Sequence, residues 1–263
     1  MFTKIVKQWL RTIYPPLSLV LLALLMSISA NTQAIEVHSA LHLAAKRPDA
    51  PDNGTPSGDS TPGGTRPEAQ CPDTEKPLTA ISQNQGQDFT VSEYPTFFFY
   101  IPYSPEQVES IEFLLLNKTE RQTIYRTDIQ LTQGPGIIQI KIPAQPQYSL
   151  KLDEDYRWRL NLDCKPEQTI EPDQTVNGWV RRLSENPELR NRLSTEEPSY
   201  IAYQNNQIWY SAIASLAELV LANPNNLELD KAWSELLQSL GYEWVILEPF
   251  VESEPSQLQP TSY

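Results

Sequence analysis

Histidine is almost absent from this sequence. The 263 residues contain two, His38 and His42, and both precede the part of the chain that we expect to fold. A folded region without histidine cannot hold a Ser–His triad, a Cys–His pair or a histidine-based zinc site. These classes of catalytic and metal centre are therefore excluded from it.

Cysteine is nearly as scarce. Cys71 precedes the first strand-like segment, Cys164 ends the last one, and no further thiolate ligand exists for a metal. In an exported protein a disulfide between them would join the two ends of one domain. The alternative is two free thiols, or one reactive thiol. We predict the disulfide, and we predict no metal site and no cofactor.

Positive charge is also in short supply, with 20 basic against 33 acidic residues. The first 34 residues carry three of the basic side chains and no acidic one, so the rest of the chain has a net charge of −16. Such a surface repels nucleic-acid phosphates and anionic membranes. Nucleic acid is therefore not expected as a partner.

Only one long apolar run is present, Leu17–Ile28. It follows three basic residues and precedes small residues that end at Ala34. This order is typical of a signal peptide, here residues 1–34, although retention as a membrane anchor is the alternative. A spanning helix needs about 20 apolar residues, more than this run offers. We expect a periplasmic or extracellular protein with no stable membrane span after cleavage.

Residues 35–70 are predicted to form a flexible tether, because their later part is dense in proline, glycine and serine. The doublet Gly63-Gly64 within them is not followed by the Gly-Lys-Ser/Thr of a phosphate-binding loop.

Residues 71–166 show the alternation of apolar and polar residues that strands produce. "YRWRLNLD" (156–163) alternates strictly, and "IIQIKIP" (137–143) repeats the pattern. Shorter runs begin at Gln87, Val108 and Arg121. Six or seven short strands bounded by turns predict an Ig-like antiparallel β-sandwich. Together with the helical segment predicted after it, this makes the whole chain an α+β protein.

The stretch "EYPTFFFYIPY" (93–103) departs from that alternation. Phe97 and Phe99 point one way, while Phe98 and Tyr100 point the other. Either both faces are covered, or an aromatic strip lies open to a ligand. We favour the covered arrangement, in which helices pack on this sheet, because an open strip of that size is unusual on a soluble monomer.

Residues 174–247 are predicted to be helical. The spacing of Val176, Trp179, Val180 and Leu183 predicts a first amphipathic helix. Asn186-Pro187-Glu188 has the pattern of a second helix start, two helices follow before Pro224, and another begins at Asn226 or Asp230.

The middle pair of helices has close to the spacing of one tetratricopeptide hairpin, in the residues Tyr203, Trp209, Ala212, Leu216 and Pro224. A single hairpin must pack on something else. Residues 248–263 are predicted to be a disordered tail.

Acidic residues are abundant, so a catalytic carboxylate pair stays open as an alternative. The densest cluster, Asp153-Glu154-Asp155, precedes a strand and is interpreted as a solvated turn. It also lacks the alternate spacing and central glycine of a calcium loop. We predict no catalytic residue and favour a non-catalytic protein.

Several segments occur in an order that is similar to a known family. They are "GGTRPEAQCP", "LTAIS", "TVSEYPTFFFYIPY", "GIIQIKIP", "YRWRLNLDC", "GWVRRL" and "IWYSAIASLAELVLANPNN", within Gly63 to Leu247. Together they resemble a family of exported cyanobacterial proteins known as a domain of unknown function, the nine-hundred-and-twenty-eighth of its series. The resemblance implies a cyanobacterial envelope protein and carries over no catalytic residue.

Two hypotheses for function follow. The first is a protein-interaction module of the envelope, whose helical hairpin holds a peptide on its concave side. The alternative is a glycan- or peptidoglycan-binding module that stacks sugar rings on aromatic side chains. The candidate residues for stacking are Tyr94, Tyr100, Tyr103, Trp209 and Tyr210. The expected partner is therefore an envelope protein or a polysaccharide.

Overall fold

The computed structural model describes residues 71–83, 87–164, 171–195 and 198–255. The predicted signal peptide and tether lie outside the described residues. The strands are β1 (Thr79–Ala80), β2 (Gln87–Thr90), β3 (Thr96–Ile101), β4 (Ser110–Asn117), β5 (Thr123–Leu131), β6 (Gly136–Lys141), β7 (Asp155–Asp163), β8 (Gln174–Arg182) and β9 (Ser253–Pro255). The α-helices are α1 (Pro187–Leu193), α2 (Ser199–Asn205), α3 (Trp209–Ala222) and α4 (Leu227–Ser239). Short 3-10 helices lie at Pro105–Gln107, Pro146–Tyr148 and Glu243–Val245. Within the described ranges, no helix has the length and apolarity needed to cross a membrane.

The strands form two sheets, and the helices follow them in the chain, so the protein is a mixed α+β structure. One sheet has the order β1-β3-β6 and the other the order β2-β8-β7-β4-β5-β9. The expectation of purely antiparallel pairing is wrong at one place, because β2 runs parallel to β8. These two strands are far apart in sequence, so no hairpin fixes their relative direction.

Aromatic side chains from both sheets meet in one hydrophobic cluster. The ring centroids of Phe97 and Phe113 lie 5.1 Å apart, and those of Phe99 and Trp158 lie 5.5 Å apart in an edge-to-face arrangement. Such pairs contribute about 0.5–1.5 kcal/mol beyond the burial of their area. The side chains on this face of β3 therefore join the two sheets.

Helices cover the opposite face of β3. Phe98 and Tyr100 form a second cluster with Ile213 and Leu216 of α3 and with residues of α4. All six residues of β3 are buried. The covered arrangement favoured by the sequence is confirmed.

Residues 176–183 were expected to form a helix, and this prediction is wrong because they lie in β8 and just beyond it. Val176 and Val180 point into the core, and the position between them on that face is Gly178, which lies against the Trp158 ring. Trp179 is buried on the other face. The glycine hides the alternation, so the remaining apolar residues imitate helical spacing. The six-stranded sheet therefore extends past the predicted sandwich boundary at residue 166.

The later helix starts are confirmed. The Asn186 side chain accepts a hydrogen bond from the Leu189 amide (2.7 Å) at the start of α1. Asn226 accepts one from the Glu228 amide (3.1 Å) at the start of α4. Both side chains satisfy amides that a helix start leaves without an intrahelical partner.

The beginning of the predicted disordered tail is part of the fold. β9 pairs antiparallel with β5. Just before it, the Ile137 amide of β6 donates to the Pro249 carbonyl (2.7 Å), and the Val251 amide donates to the Ile137 carbonyl (2.9 Å). The prediction is therefore wrong for residues 248–255, which lack an apolar alternation but find strand edges to pair with. Residues 256–263 lie outside the described residues.

Candidate functional site

Three of the five candidate stacking residues are buried. Tyr100, Tyr103 and Tyr210 are 4%, 1% and 3% exposed, so none presents a ring face to a sugar. Their assignment as ligand aromatics is corrected on this ground. Tyr94 and Trp209 are half-buried. Among the described residues, nothing accepts a hydrogen bond from the buried indole N–H of Trp209.

Tyr210 has a structural position at the start of α3. The indole N–H of Trp158 donates to its hydroxyl oxygen at 2.6 Å, and its ring packs edge-on against Phe97 with centroids 5.2 Å apart. Burial raises the pKa of Tyr210 well above its usual value. The neutral hydroxyl therefore anchors the helix to the core.

Tyr100 and Tyr103 also serve the fold. The Tyr100 ring packs edge-on against Trp244 at 5.6 Å. Burial, and then the charge and hydrogen bond of Glu248, raise the pKa of Tyr100 to about 12. The Tyr103 hydroxyl accepts a hydrogen bond from the Gln174 side chain at 2.7 Å. Neither residue is positioned to meet a ligand.

The acidic cluster before β7 is not entirely solvated. Asp155 is buried, and the Arg181 guanidinium donates two hydrogen bonds to it, at 2.6 and 2.7 Å. Lys118 lies 3.4 Å from the same carboxylate. The interpretation as a solvated turn is wrong for this residue. A buried carboxylate held by two cations has a structural role.

The two cysteines are bonded to each other, which confirms the predicted disulfide. The Asp173 carboxylate accepts a hydrogen bond from the Cys164 amide at 2.9 Å, and lies 3.9 Å from the Cys71 sulfur. These three residues are close enough to share a metal ion. With both sulfurs in the disulfide, no thiolate is available to ligate one.

The predicted hairpin corresponds to α2 and α3. Ile213 and Leu216 of α3 pack with Phe98, Tyr100 and Ile137, so this face of the hairpin does not hold a peptide. A groove of about 610 Å³ lies instead beside α3, and we call it the α3–β6 groove. Its lining comes from four elements: Thr96 and Phe98 of β3, Gln139 and Lys141 of β6, Ala214, Glu218, Leu221 and Ala222 of α3, and Ser253 and Pro255 of β9.

The α3–β6 groove has an apolar base and balanced charges. Phe98 is 3% exposed, while Leu221 on the helical side is 43% exposed. Lys141 and Glu218 lie 3.9 Å apart, and both side chains are 69% exposed. The sequence patterns described above do not predict this groove. Its signal was the alternation in "IIQIKIP", where Gln139 and Lys141 are polar on the face that carries Ile137.

A second groove, of about 390 Å³, lies at the six-stranded sheet. Residues near Pro105 and along β4 and β5 line it, including the carboxylates of Glu109 and Asp128. Acidic side chains alone do not define a binding site, so the α3–β6 groove is the stronger candidate.

Comparison with models of protein families gives a match. A family model described as Domain of Unknown Function (DUF928) matches residues 61–250, well over half of the chain. The chain belongs to this family. No curated protein matches it.

The DUF928 match covers β1 to β8 and all four described α-helices. It therefore includes three of the four elements that line the α3–β6 groove. β9, which supplies Ser253 and Pro255, lies beyond its end.

Proposed function

We propose that this chain is a non-catalytic, exported protein-interaction module of a cyanobacterial cell envelope, and that it docks its partner in the α3–β6 groove. The observation that carries the proposal is the groove itself, about 610 Å³ in volume, which runs between a helix and an edge strand. It offers apolar surface and few charges, as the centre of a protein interface does.

Export is supported by the bond between Cys71 and Cys164, since disulfides persist in oxidising compartments. A non-catalytic role is supported by the scarcity of histidine and by the pairing of buried Asp155 with Arg181. The surface charge outside residues 1–34 favours a protein or neutral polymer over a polyanion.

We further propose that the two sheets form an Ig-like β-sandwich. The strand orders β1-β3-β6 and β8-β7-β4-β5 support this, as does the cluster shared by both sheets. At the start of β7 the Tyr156 hydroxyl accepts a hydrogen bond from the Lys151 amide at 3.0 Å. A tyrosine bonded to backbone a few residues upstream resembles the tyrosine corner of such domains.

The glycan-binding alternative would rest on Tyr94 and Trp209, the two candidates that keep some exposure. Titration of tryptophan fluorescence with peptidoglycan fragments tests it. A saturable change in wild type that Trp209→Phe removes would favour this alternative.

Site-specific photocrosslinking tests the interaction proposal. A photoreactive phenylalanine replaces Leu221 or Gln139, both of which line the groove. Each variant is expressed in the cells in which the protein naturally occurs. The matched control position is Leu227, which is 80% exposed and is not among the residues that line the groove. Adducts are separated by mass and identified.

We expect the same adduct from both groove positions and no such adduct from Leu227. Absence of any groove-specific adduct would contradict the interaction proposal. Export is checked in the same cells by the mass of the mature protein, which should begin at Ile35 and be recovered outside the cytoplasm.

A further inference from the structure

We propose that the α3–β6 groove binds an extended segment of a partner protein, which adds as a further strand to the free edge of β6. This inference rests on the interaction role proposed above and specifies its chemistry. In such recognition, main-chain hydrogen bonds supply affinity and alternate side chains supply specificity.

The free edge follows from the alternation of hydrogen bonds along β6. Ile137 directs both its amide and its carbonyl away from β3, toward Pro249 and Val251. Backbone groups of alternate residues in a strand point to the same side. Gln139 and Lys141 must therefore direct theirs outward as well, and within the described residues β6 pairs at these positions only with β3. The main chains of Gln139 and Lys141 together offer two amide donors and two carbonyl acceptors on this edge.

The chain itself already uses the neighbouring part of this edge. The segment around Phe250 runs parallel to β6 and bridges to it at Ile137. It then leaves, because Ser253–Pro255 pairs with β5 in the other sheet. A strand from a partner would continue the same edge from the point where the chain's own segment departs.

The elements that border the groove limit what can bind in it. Ala214 and Leu221 of α3 stand on one side, and Ser253 and Pro255 of β9 also border it. A second copy that paired through its own β6 would bring its own α3 and β9 to the same edge. A single extended segment needs only the width of one strand, about 4.8 Å from its neighbour.

The lining also indicates the chemistry of that segment. Leu221 offers exposed apolar surface, while Lys141 and Glu218 offset each other's charge. The expected partner sequence is therefore extended, of low net charge, and carries apolar side chains at alternate positions. A strongly charged or helical peptide fits this surface poorly.

The test begins with a linear peptide library displayed on phage and selected on the full mature chain. Enriched peptides are synthesised with a fluorescent label, and their affinity is measured by anisotropy. The key variant is Gln139→Pro, which removes one outward amide but none that bonds to β3. Proline is tolerated at such edge positions. Gln139→Ala is the matched control, because it shortens the side chain and keeps the amide.

We expect about ten-fold weaker binding to Gln139→Pro and nearly unchanged binding to Gln139→Ala, since one hydrogen bond at an interface is worth about that factor. Urea denaturation checks that both variants are folded. If Gln139→Pro does not fold, the peptide is N-methylated instead, one residue at a time. Binding should then be lost with a period of two residues.

Strand addition would be overturned if no peptide were enriched on the wild type. It would also be overturned if the peptide bound equally well to Gln139→Pro and Gln139→Ala, or if N-methylation of the peptide left its affinity unchanged. A groove-specific photocrosslink obtained together with any of these results would leave the interaction role standing. The loss of both would remove the proposed function as well.

Discussion

Gly178 lies directly against the indole ring of Trp158. A Cβ atom built there would lie 2.4 Å from the ring carbon Cζ2, which no real contact permits. Gly178→Ala must therefore displace the indole, which also donates to Tyr210. Overpacking of this kind costs about 1–3 kcal/mol of the free energy of unfolding. Urea denaturation measures the loss.

Gly241→Ala is the matched control for that variant. Gly241 has a φ of +84°, and a Cβ atom added to it would meet no atom within 4 Å, so its substitution strains the backbone without touching a tryptophan. We expect altered tryptophan fluorescence for Gly178→Ala alone. A Gly178→Ala protein with wild-type stability and fluorescence would contradict the packing described for β8.

The phenol of Tyr100 makes the fold sensitive to alkali. Burial, followed by the charge and hydrogen bond of Glu248, raises its pKa from 10.0 to about 12. The folded state thus favours the neutral phenol, whereas the unfolded chain ionises near pH 10. Its contribution to stability is complete below pH 10 and is lost as the pH rises toward 12.

We therefore expect the free energy of unfolding to decrease more steeply between pH 10 and 12 in wild type than in Tyr100→Phe. Chemical denaturation over that range makes the comparison. All other ionisable groups are the same in both proteins, so only the difference between the two slopes is informative. Identical slopes would show that the Tyr100 phenol is not held neutral by the fold.

At the scale of elements, predictability depended on whether the sequence pattern had a single explanation. The strict alternation of β7 fits only a strand, and Asn186-Pro187-Glu188 fits only a helix start. The pattern of β8 has two explanations. Gly178 leaves one core-facing position without a side chain, and Trp179 is buried on the opposite face of the sheet. Ser253–Pro255 has no apolar pattern at all. The α3–β6 groove depends on how a helix sits on a sheet, which no local pattern encodes.

The helices depend on the sheet for their stability. Ile213, Leu216 and Leu237 are fully buried against a cluster that includes Phe98 and Tyr100 of β3. Short isolated helices are marginal in water, so helices without this partner surface should not persist. Residues 187–247 expressed alone are expected to aggregate or to melt without cooperativity.

Circular dichroism during heating measures this, with residues 71–255 as the control that retains both sheets. The control should unfold in one cooperative transition. A sharp transition in the helical fragment would mean that the helices form an independent domain, and the covering of β3 would then be a contact between two folding units.

At the scale of the whole molecule, the disulfide is the one covalent link between distant parts of the chain. Cys71 precedes β1 of the smaller sheet, while Cys164 follows β7 of the larger one, 93 residues later. The bond thus closes a loop that contains most of both sheets. Asp173, which accepts a hydrogen bond from the Cys164 amide, adds the start of β8 to this junction.

Removal of the disulfide should weaken the protein without unfolding it. Closing a loop of this size contributes at most about 4–5 kcal/mol by the chain-entropy estimate, and compact denatured chains reduce that figure. A domain of this size is typically stable by about 5–15 kcal/mol. The Cys71→Ser/Cys164→Ser variant should therefore fold and melt at a lower temperature than wild type. Wild type in reductant should match it, whereas the variant should not respond to reductant. Two reactive thiols in the wild-type protein, or a melting temperature that reductant leaves unchanged, would show that the bond is not formed or does not stabilise the fold.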